Sequence, residues 1–229
     1  MASPRKKTLK IAILTDENSW IAPWVLQLAQ GWQQEGHAVQ IAHACTELRE
    51  GDLCFCLSFS QIVPVRIRKL FKNVLVVHES DLPKGRGWSP MSWQILEGEK
   101  RIPVTLFEAA DAVDSGPIYL QDWIALEGWE LSPHWRTMQA ETTLKLCRQF
   151  VAQWPDIQGR PQQGSPSYYP RRTPADSKLD PNKTLREQFN LLRIVDNERY
   201  PAFFELNGRK YKLAITLVDE SKEEGDNAS

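Results

Sequence analysis

LKIAILTDENSWIAPWVLQLAQGWQQEGHAVQIA, Leu9–Ala42, reads as a strand, a helix and a second strand. Leu9–Thr15 is a short apolar run of the kind that forms a strand buried on both faces. From Ser19 to Glu35 the apolar residues recur at helical spacing: Trp20, Trp24 and Leu28, with Val25 and Trp32 beside them. Pro23 fits only in the first turn of that helix, where a missing N–H costs nothing. Gly36 ends the helix and His37–Ala42 begins the second strand, completing a βαβ unit whose two strands run parallel.

The pattern continues on the C-terminal side. Asp52–Phe59 (DLCFCLSF) is a third apolar strand, leading into the loop Ser60–Pro64 and a short basic helix around Arg66–Phe71. Val74–Val77 is a fourth strand, with His78 at its C-terminal end. Ser89-Pro90 opens a helix that runs to Gly98, with Ser89 as N-cap and Pro90 at the first helical position. Pro103–Glu108 and Pro117–Ala125 read as strands flanking a turn at Asp111–Gly116. Leu131–Trp154 is the longest helical segment, its apolar side marked by Leu144, Cys147, Val151 and Trp154. Residues 158–183 are rich in Gly, Pro, Ser and Arg and read as an extended surface connector. A helix is predicted from Thr184 to Val195, opened by Leu185 and packed through Phe189 and Leu192. Asn207-Gly208, between apolar-aromatic runs in Phe203–Val218, is a strong hairpin signal. The acidic, polar tail 220–229 reads as disordered. The expected fold is α/β: a Rossmann-like, mostly parallel sheet with a small C-terminal helix and β-hairpin. Its divisions are a main domain (1–157), a connector (158–183), a helix-hairpin subdomain (184–219) and the tail.

A hydrophobic content of 41% and a charged content of 25% over 229 residues are those of a globular chain. The net charge of −1 offers no global attraction to nucleic acid or to an anionic membrane. Cys45, Cys54, Cys56 and Cys147 have no metal-ligand or secreted-disulfide spacing; Cys54 and Cys56 share one face of a strand and read as free core thiols. No metal is expected. No apolar run reaches membrane-spanning length, and Met1–Lys10 is a short basic leader without an apolar core, so the expected location is the cytoplasm.

HESDLPKGRG (His78–Gly87) sets an imidazole at a strand end and follows it with a Pro/Gly-broken loop. DAVDSG (Asp111–Gly116) sets a carboxylate, Asp114, in a turn that can reach it. A histidine held by a carboxylate is a proton-handling device. The plain alternative for His78 is a strand-end histidine bonded to its own loop. Lys84 and Arg86 read equally as ligand-steering groups and as solvated loop charges. Trp88 and Trp93 read as stacking platforms or as members of a Trp-rich core, and Arg171, Arg172 and Asp176 as anchors of the connector.

These segments resemble the folate-dependent formyltransferase family, whose members carry a His-x-Ser-x-Leu-Pro loop and a later Leu-Asp-Ser/Thr/Ala-Gly turn. The matching residues are His78, Ser80, Leu82 and Pro83, then Asp114, Ser115 and Gly116. Ile62, Val63 and Pro64 match an upstream loop, and YYPRRTPADSKLD (Tyr168–Asp180) resembles the connector of methionyl-tRNA and sugar formyltransferases. The likeness extends over about Leu9–Val218 and implies the formyltransferase fold. It implies transfer of a formyl group from 10-formyltetrahydrofolate to an amine, with His78 moving the proton and Asp114 orienting it. It further implies folate contacts at Phe59, Ser60, Gln61, Ile62, Asp111, Ala112 and Val113. Acceptor contacts are expected at Ser80, Pro83, Lys84, Arg86, Gly87 and Trp88.

Two departures from the family pattern matter. The family places Asn two residues before the His, where its amide stabilises an oxyanion; here that position is Val76. Losing such a donor costs on the order of 100- to 1000-fold in rate. Another donor (Ser58, Ser60 or a backbone N–H), a bulge that moves Asn73, or loss of activity are the open explanations. The second departure is length, since Ala42–Asp52 leaves room for about one turn where the family has a helix and strand. This compact form is most similar to sugar N-formyltransferases of pseudaminic acid pathways, which implies a UDP-linked 4-amino-4,6-dideoxy sugar as partner substrate. Alternatives are another small amine, such as glycinamide ribonucleotide or a carrier-bound aminoacyl group, and a non-catalytic folate or nucleotide binder.

Overall fold

The computed structural model describes residues 8–218. Its centre is a six-stranded sheet that follows the apolar runs of the sequence. The chain makes β1 (Lys10–Leu14), α1 (Ala22–Gln34), β2 (Ala38–Ala42), β3 (Leu53–Cys56), α2 (Val65–Arg68) and β4 (Asn73–His78). It continues through β5 (Arg86–Gly87), α3 (Pro90–Leu96), β6 (Arg101–Glu108), β7 (Ile118–Ala125) and α4 (Ser132–Gln153). The sheet order is β2-β1-β3-β4-β6-β7. The first four strands are parallel, and β6 and β7 are added antiparallel. Beyond α4 come β8 (Tyr168–Tyr169), α5 (Phe189–Ile194), β9 (Ala202–Leu206) and β10 (Arg209–Leu213).

The parallel strands are apolar throughout because both faces are covered, and period-2 alternation sorts their side chains into two cores. Ile11, Ile13, Leu53, Phe55 and Leu75 pack with Val25, Leu28 and Trp32 of α1 and with Leu144, Cys147 and Phe150 of α4. Ala12, Leu14, Cys54, Cys56 and Val74 face the other way, onto Leu48, Val63 and Phe71. Burying one such Leu, Ile or Phe side chain contributes about 1.5–3 kcal/mol. The cysteines are free thiols, and Cys54 and Cys56 lie together on one face as expected. Between β2 and β3 the chain makes only a short 3-10 turn, Cys45–Glu47, so the crossover helix is absent.

Several local expectations change. The third strand stops at Cys56 rather than Phe59, because Ser58 turns the chain out of the sheet at φ +51°. The basic helix is Val65–Arg68, closed by Lys69, rather than Arg66–Phe71. Ser89 precedes α3 but does not cap it: it sits in the left-handed region (φ 49°, ψ 46°) and its hydroxyl makes no capping bond. The helix predicted at Thr184–Val195 begins only at Phe189, and Leu185 is exposed, because Thr184 and Glu187 satisfy each other in a separate turn. The hairpin forms where Asn207-Gly208 predicts it, with φ of +50° and +72° as a two-residue reverse turn requires. The predicted tail lies outside the described residues.

The C-terminal elements are tied back through α5. Arg193 pairs with Glu130 at 3.0 Å, both side chains buried, and Trp135 Nε1 donates to the Arg193 carbonyl at 3.0 Å. Leu179, Leu192, Val195 and Ala202 form a small core beneath the hairpin.

Candidate functional site

The carboxyl ends of β1, β3 and β4 open into a cavity of about 740 Å³, the position where open α/β sheets gather ligands. Alternation along β4 sets its walls. Val76 and His78 share the face of Cys56, Val63, Ala109 and Phe107; Val77 faces the side of Ile21, Met91 and Trp135. One lobe is therefore lined by Phe59–Val63, Val76, Phe107 and Ala112–Val113, and is largely apolar. The other is built from Trp20, Trp88, Met91, Trp135, Gln139 and Arg171.

His78 stands between them, 7% exposed. Its Nε2 donates to the Gly85 carbonyl at 2.8 Å, since a carbonyl can only accept. In the neutral ring the lone pair is then on Nδ1. Asp114 Oδ2 lies 3.6 Å from Nε2, beyond hydrogen-bond range, and accepts the Gly87 N–H at 2.8 Å. The structure thus brings His78 and Asp114 close together, each hydrogen-bonded to the loop backbone and not to the other.

That loop is held by the connector. Gly85 N–H donates to Ser167 Oγ at 2.9 Å, and Arg86 and Trp88 N–H donate to the Ser167 and Tyr169 carbonyls. Gly87 has φ +100°, and a Cβ there would sit 2.5 Å from the Tyr169 carbonyl oxygen. Gln162 bridges both motifs: its Oε1 accepts from Arg86 at 2.6 Å, and its Nε2 donates to the Asp114 and Gly116 carbonyls at 2.8 and 2.9 Å. A connector predicted merely to cross the surface therefore locks the His78 loop onto the Asp114 turn.

The expected site residues divide in two. Phe59, Ser60, Gln61, Ile62, Ala112, Val113, Gly87 and Trp88 line the cavity. Asp111 is outside its wall, paired with Arg68, which also donates to the Ala109 carbonyl at 3.1 Å. Ser80 is buried beneath the loop, where its carbonyl accepts from Thr105. Pro83 is also buried, Lys84 is exposed, and Arg86 is turned to Gln162. Asn73 does not replace the missing amide. β4 pairs with β3 in unbroken register, and the Asn73 amide donates to Glu108 at 2.8 Å and to Tyr119 at 3.0 Å. Its carbonyl oxygen accepts from Trp154 Nε1 at 3.1 Å. Ser58 and Ser60 do line the cavity.

Sequence reasoning missed the α4 wall and Glu79. Trp135, Gln139 and Thr143 recur every four residues and are all buried along one line facing the cavity; polar residues on a helix's buried stripe were the available signal. Glu79, half-buried, follows His78 and lines the same cavity. Burial pushes its carboxyl above the usual carboxylate range; His78 and a hydrogen bond from Gln139 pull it partly back, and Asp114 adds to the rise.

Residues 15–128 match the family described as Formyl transferase. The chain belongs to the formyltransferase family. It is 30% identical over 180 residues to the methionyl-tRNA formyltransferase of Thermodesulfovibrio yellowstonii, a match covering 74% of this chain and 56% of that protein. The chain thus spans little more than half the length of that relative. Its fold is that of a sugar N-formyltransferase from a Shewanella species (TM-score 0.69, 17% identity, covering 92% of this chain and 99% of that one). It is also that of part of HypX from Aquifex aeolicus, solved with tetrahydrofolic acid (TM-score 0.72, 16% identity, covering 91% of this chain and 38% of that one). Among the described residues, no group of three or more His, Cys, Asp or Glu side chains is placed to hold a metal ion. No described helix is long and apolar enough to cross a membrane.

Proposed function

We propose that the protein transfers a formyl group from 10-formyltetrahydrofolate to the amine of a UDP-linked 4-amino-4,6-dideoxy sugar, of the pseudaminic-acid type, in the cytoplasm. The observation that carries this reading is the His78–Asp114 pair set between an apolar lobe and an aromatic, polar one. The apolar lobe, with Phe59, Ile62 and Val113, suits a flat pterin ring. The lobe with Trp88 and Arg171, whose guanidinium lies 4.8 Å from the Trp88 ring centre, suits a nucleotide sugar. Residues 1–157 are taken as the catalytic unit, with 158–183 as its clamp and 184–219 as an appended subdomain.

In this scheme the acceptor amine attacks the formyl carbon and a C–N bond forms. The proton shed by the attacking nitrogen passes to His78 Nδ1 and on to the folate N10, as the bond from that nitrogen to the formyl carbon breaks. Asp114 stabilises the imidazolium between these transfers. A hydroxyl or N–H at Ser58–Ser60 takes the oxyanion role left open by Val76.

Incubation with 10-formyltetrahydrofolate and a panel of UDP-amino sugars, read by mass spectrometry for the addition of CO, tests the reading. Formylation of glycinamide ribonucleotide instead would move the acceptor assignment. Failure to bind folate would remove the reading altogether.

A further inference from the structure

Glu79 stands on the opposite side of β4's end from His78. Alternation puts His78 with Val76 toward the apolar lobe; Glu79, the first residue past the strand, turns toward Gln139 of α4 and the lobe of Trp135. There its carboxylate meets Gln139, and its carbonyl accepts from Gln94, which joins it to α3. Among the described residues, Glu79 has no lysine or arginine as an ion-pair partner. The other charged groups around this cavity have partners of their own. Arg136 on α4 pairs with Asp196 at 3.1 Å, Arg171 of the connector stacks on Trp88, and Asp16 after β1 accepts from the Ser60 N–H. Across β4 lie His78 and Asp114. A half-buried carboxylate facing a ligand cavity without a cation lacks only a cation from the ligand.

We propose that Glu79 binds the acceptor's amino group as an ammonium ion and takes its first proton. This rests on the formyl-transfer reading and adds the step that reading leaves out. An ammonium carries three protons and has no lone pair. One N–H bond breaks and an O–H bond forms on Glu79, giving the neutral amine. Its lone pair forms the C–N bond to the formyl carbon. The second proton then travels through His78 to the leaving folate nitrogen, and the third stays on the formamide. Glu79 afterwards releases its proton to solvent. A carboxyl with a raised pKa is the stronger base for the first transfer. The division of labour gives each proton its own group, on its own side of β4.

The test reads binding, so it does not require turnover. Wild type, Glu79→Gln and Glu79→Ala are titrated with UDP-linked 4-amino-4,6-dideoxy-N-acetylglucosamine and with its counterpart bearing hydroxyl at C4. Tetrahydrofolate binding serves as the control for an intact donor lobe. Wild type should prefer the amine roughly tenfold or more, as expected for a hydrogen-bonded charge pair. Both variants should lose that preference while binding tetrahydrofolate like wild type. A preference that survives in both variants overturns this inference alone. Neither probe binding to wild type overturns the acceptor reading and this inference with it. Loss of tetrahydrofolate binding in both variants makes Glu79 a structural residue and also overturns it.

Discussion

His78 Nε2 lies 3.6 Å from Asp114 Oδ2, too far for a hydrogen bond and close enough for the carboxylate to stabilise an imidazolium. The Gly85 carbonyl and the Gly87 N–H occupy the hydrogen bonds that the two side chains would otherwise exchange. The pair is therefore held by loop backbone on both sides.

Asp114→Asn is the sharpest test of the pair. Asn tolerates the left-handed φ of +50° at this position and keeps the size, so only the charge is lost. Formyl transfer should fall about 100- to 10,000-fold, and His78→Ala should fall at least as far, with tetrahydrofolate binding kept in both. Full activity in both variants, measured by mass spectrometry, would remove the pair from the reaction.

Gly87→Ala should disable the loop without touching a catalytic side chain. The new Cβ would meet the Tyr169 carbonyl at 2.5 Å in a backbone conformation that L-residues rarely adopt. The β5–β8 pairing must then separate, loosening the clamp that carries Ser167 and Tyr169. A cost of about 1–3 kcal/mol is expected in chemical denaturation. Transfer should fall together with it, because the same N–H holds Asp114.

How much of this was legible follows from the length scale of each signal. The βαβ unit and the Asn207-Gly208 hairpin were readable because a periodic run or a pair of left-handed residues specifies them locally. The β5–β8 pairing was not, since two residues of Arg86–Gly87 opposite two of Tyr168–Tyr169 carry no period at all. His78 and Asp114 were legible as residue types in a motif. Glu79 was not, because its meaning depends on which side of β4 it leaves and on Gln139, sixty residues away. Ser89 misled for a physical reason: its side chain suits a cap, but the loop from Gly87 arrives in a conformation that leaves the hydroxyl unused.

Stability should depend on pH through the Glu130–Arg193 pair. Burial alone would raise the Glu130 carboxyl. The N–H groups of Glu127 and Gly128 and the Arg193 guanidinium outweigh it, and the net shift is downward. A carboxyl depressed in the folded state stabilises fully above its unfolded pKa, about 4.3, and loses that contribution as pH falls through the folded value. Urea titrations should show this loss in wild type on going from pH 7 to below pH 4. Arg193→Met should cost about 3–5 kcal/mol at pH 7, because it leaves a buried carboxylate unpaired. The variant should also lose less than wild type on acidification.

Asn73 and Ser58 divide the question that Val76 raises. Asn73, at the opposite end of β4 from His78, bonds Glu108, Tyr119 and Trp154, and burial already pushes Glu108 above the usual carboxylate range. Asn73→Ala strips that carboxyl of a donor, so it should cost about 1–3 kcal/mol of stability and leave kcat near wild type. Ser58 lines the cavity at φ +51°, which Gly adopts without strain, so Ser58→Gly removes the hydroxyl and spares the backbone. If that hydroxyl is the oxyanion donor, kcat should fall about 100- to 1000-fold with the KM for folate unchanged. Equal kcat in Ser58→Gly and wild type would leave the role to a backbone N–H of the Phe59–Ile62 loop. A collapse of kcat in Asn73→Ala at full folding would return it to the asparagine, against the hydrogen bonds that now hold it away.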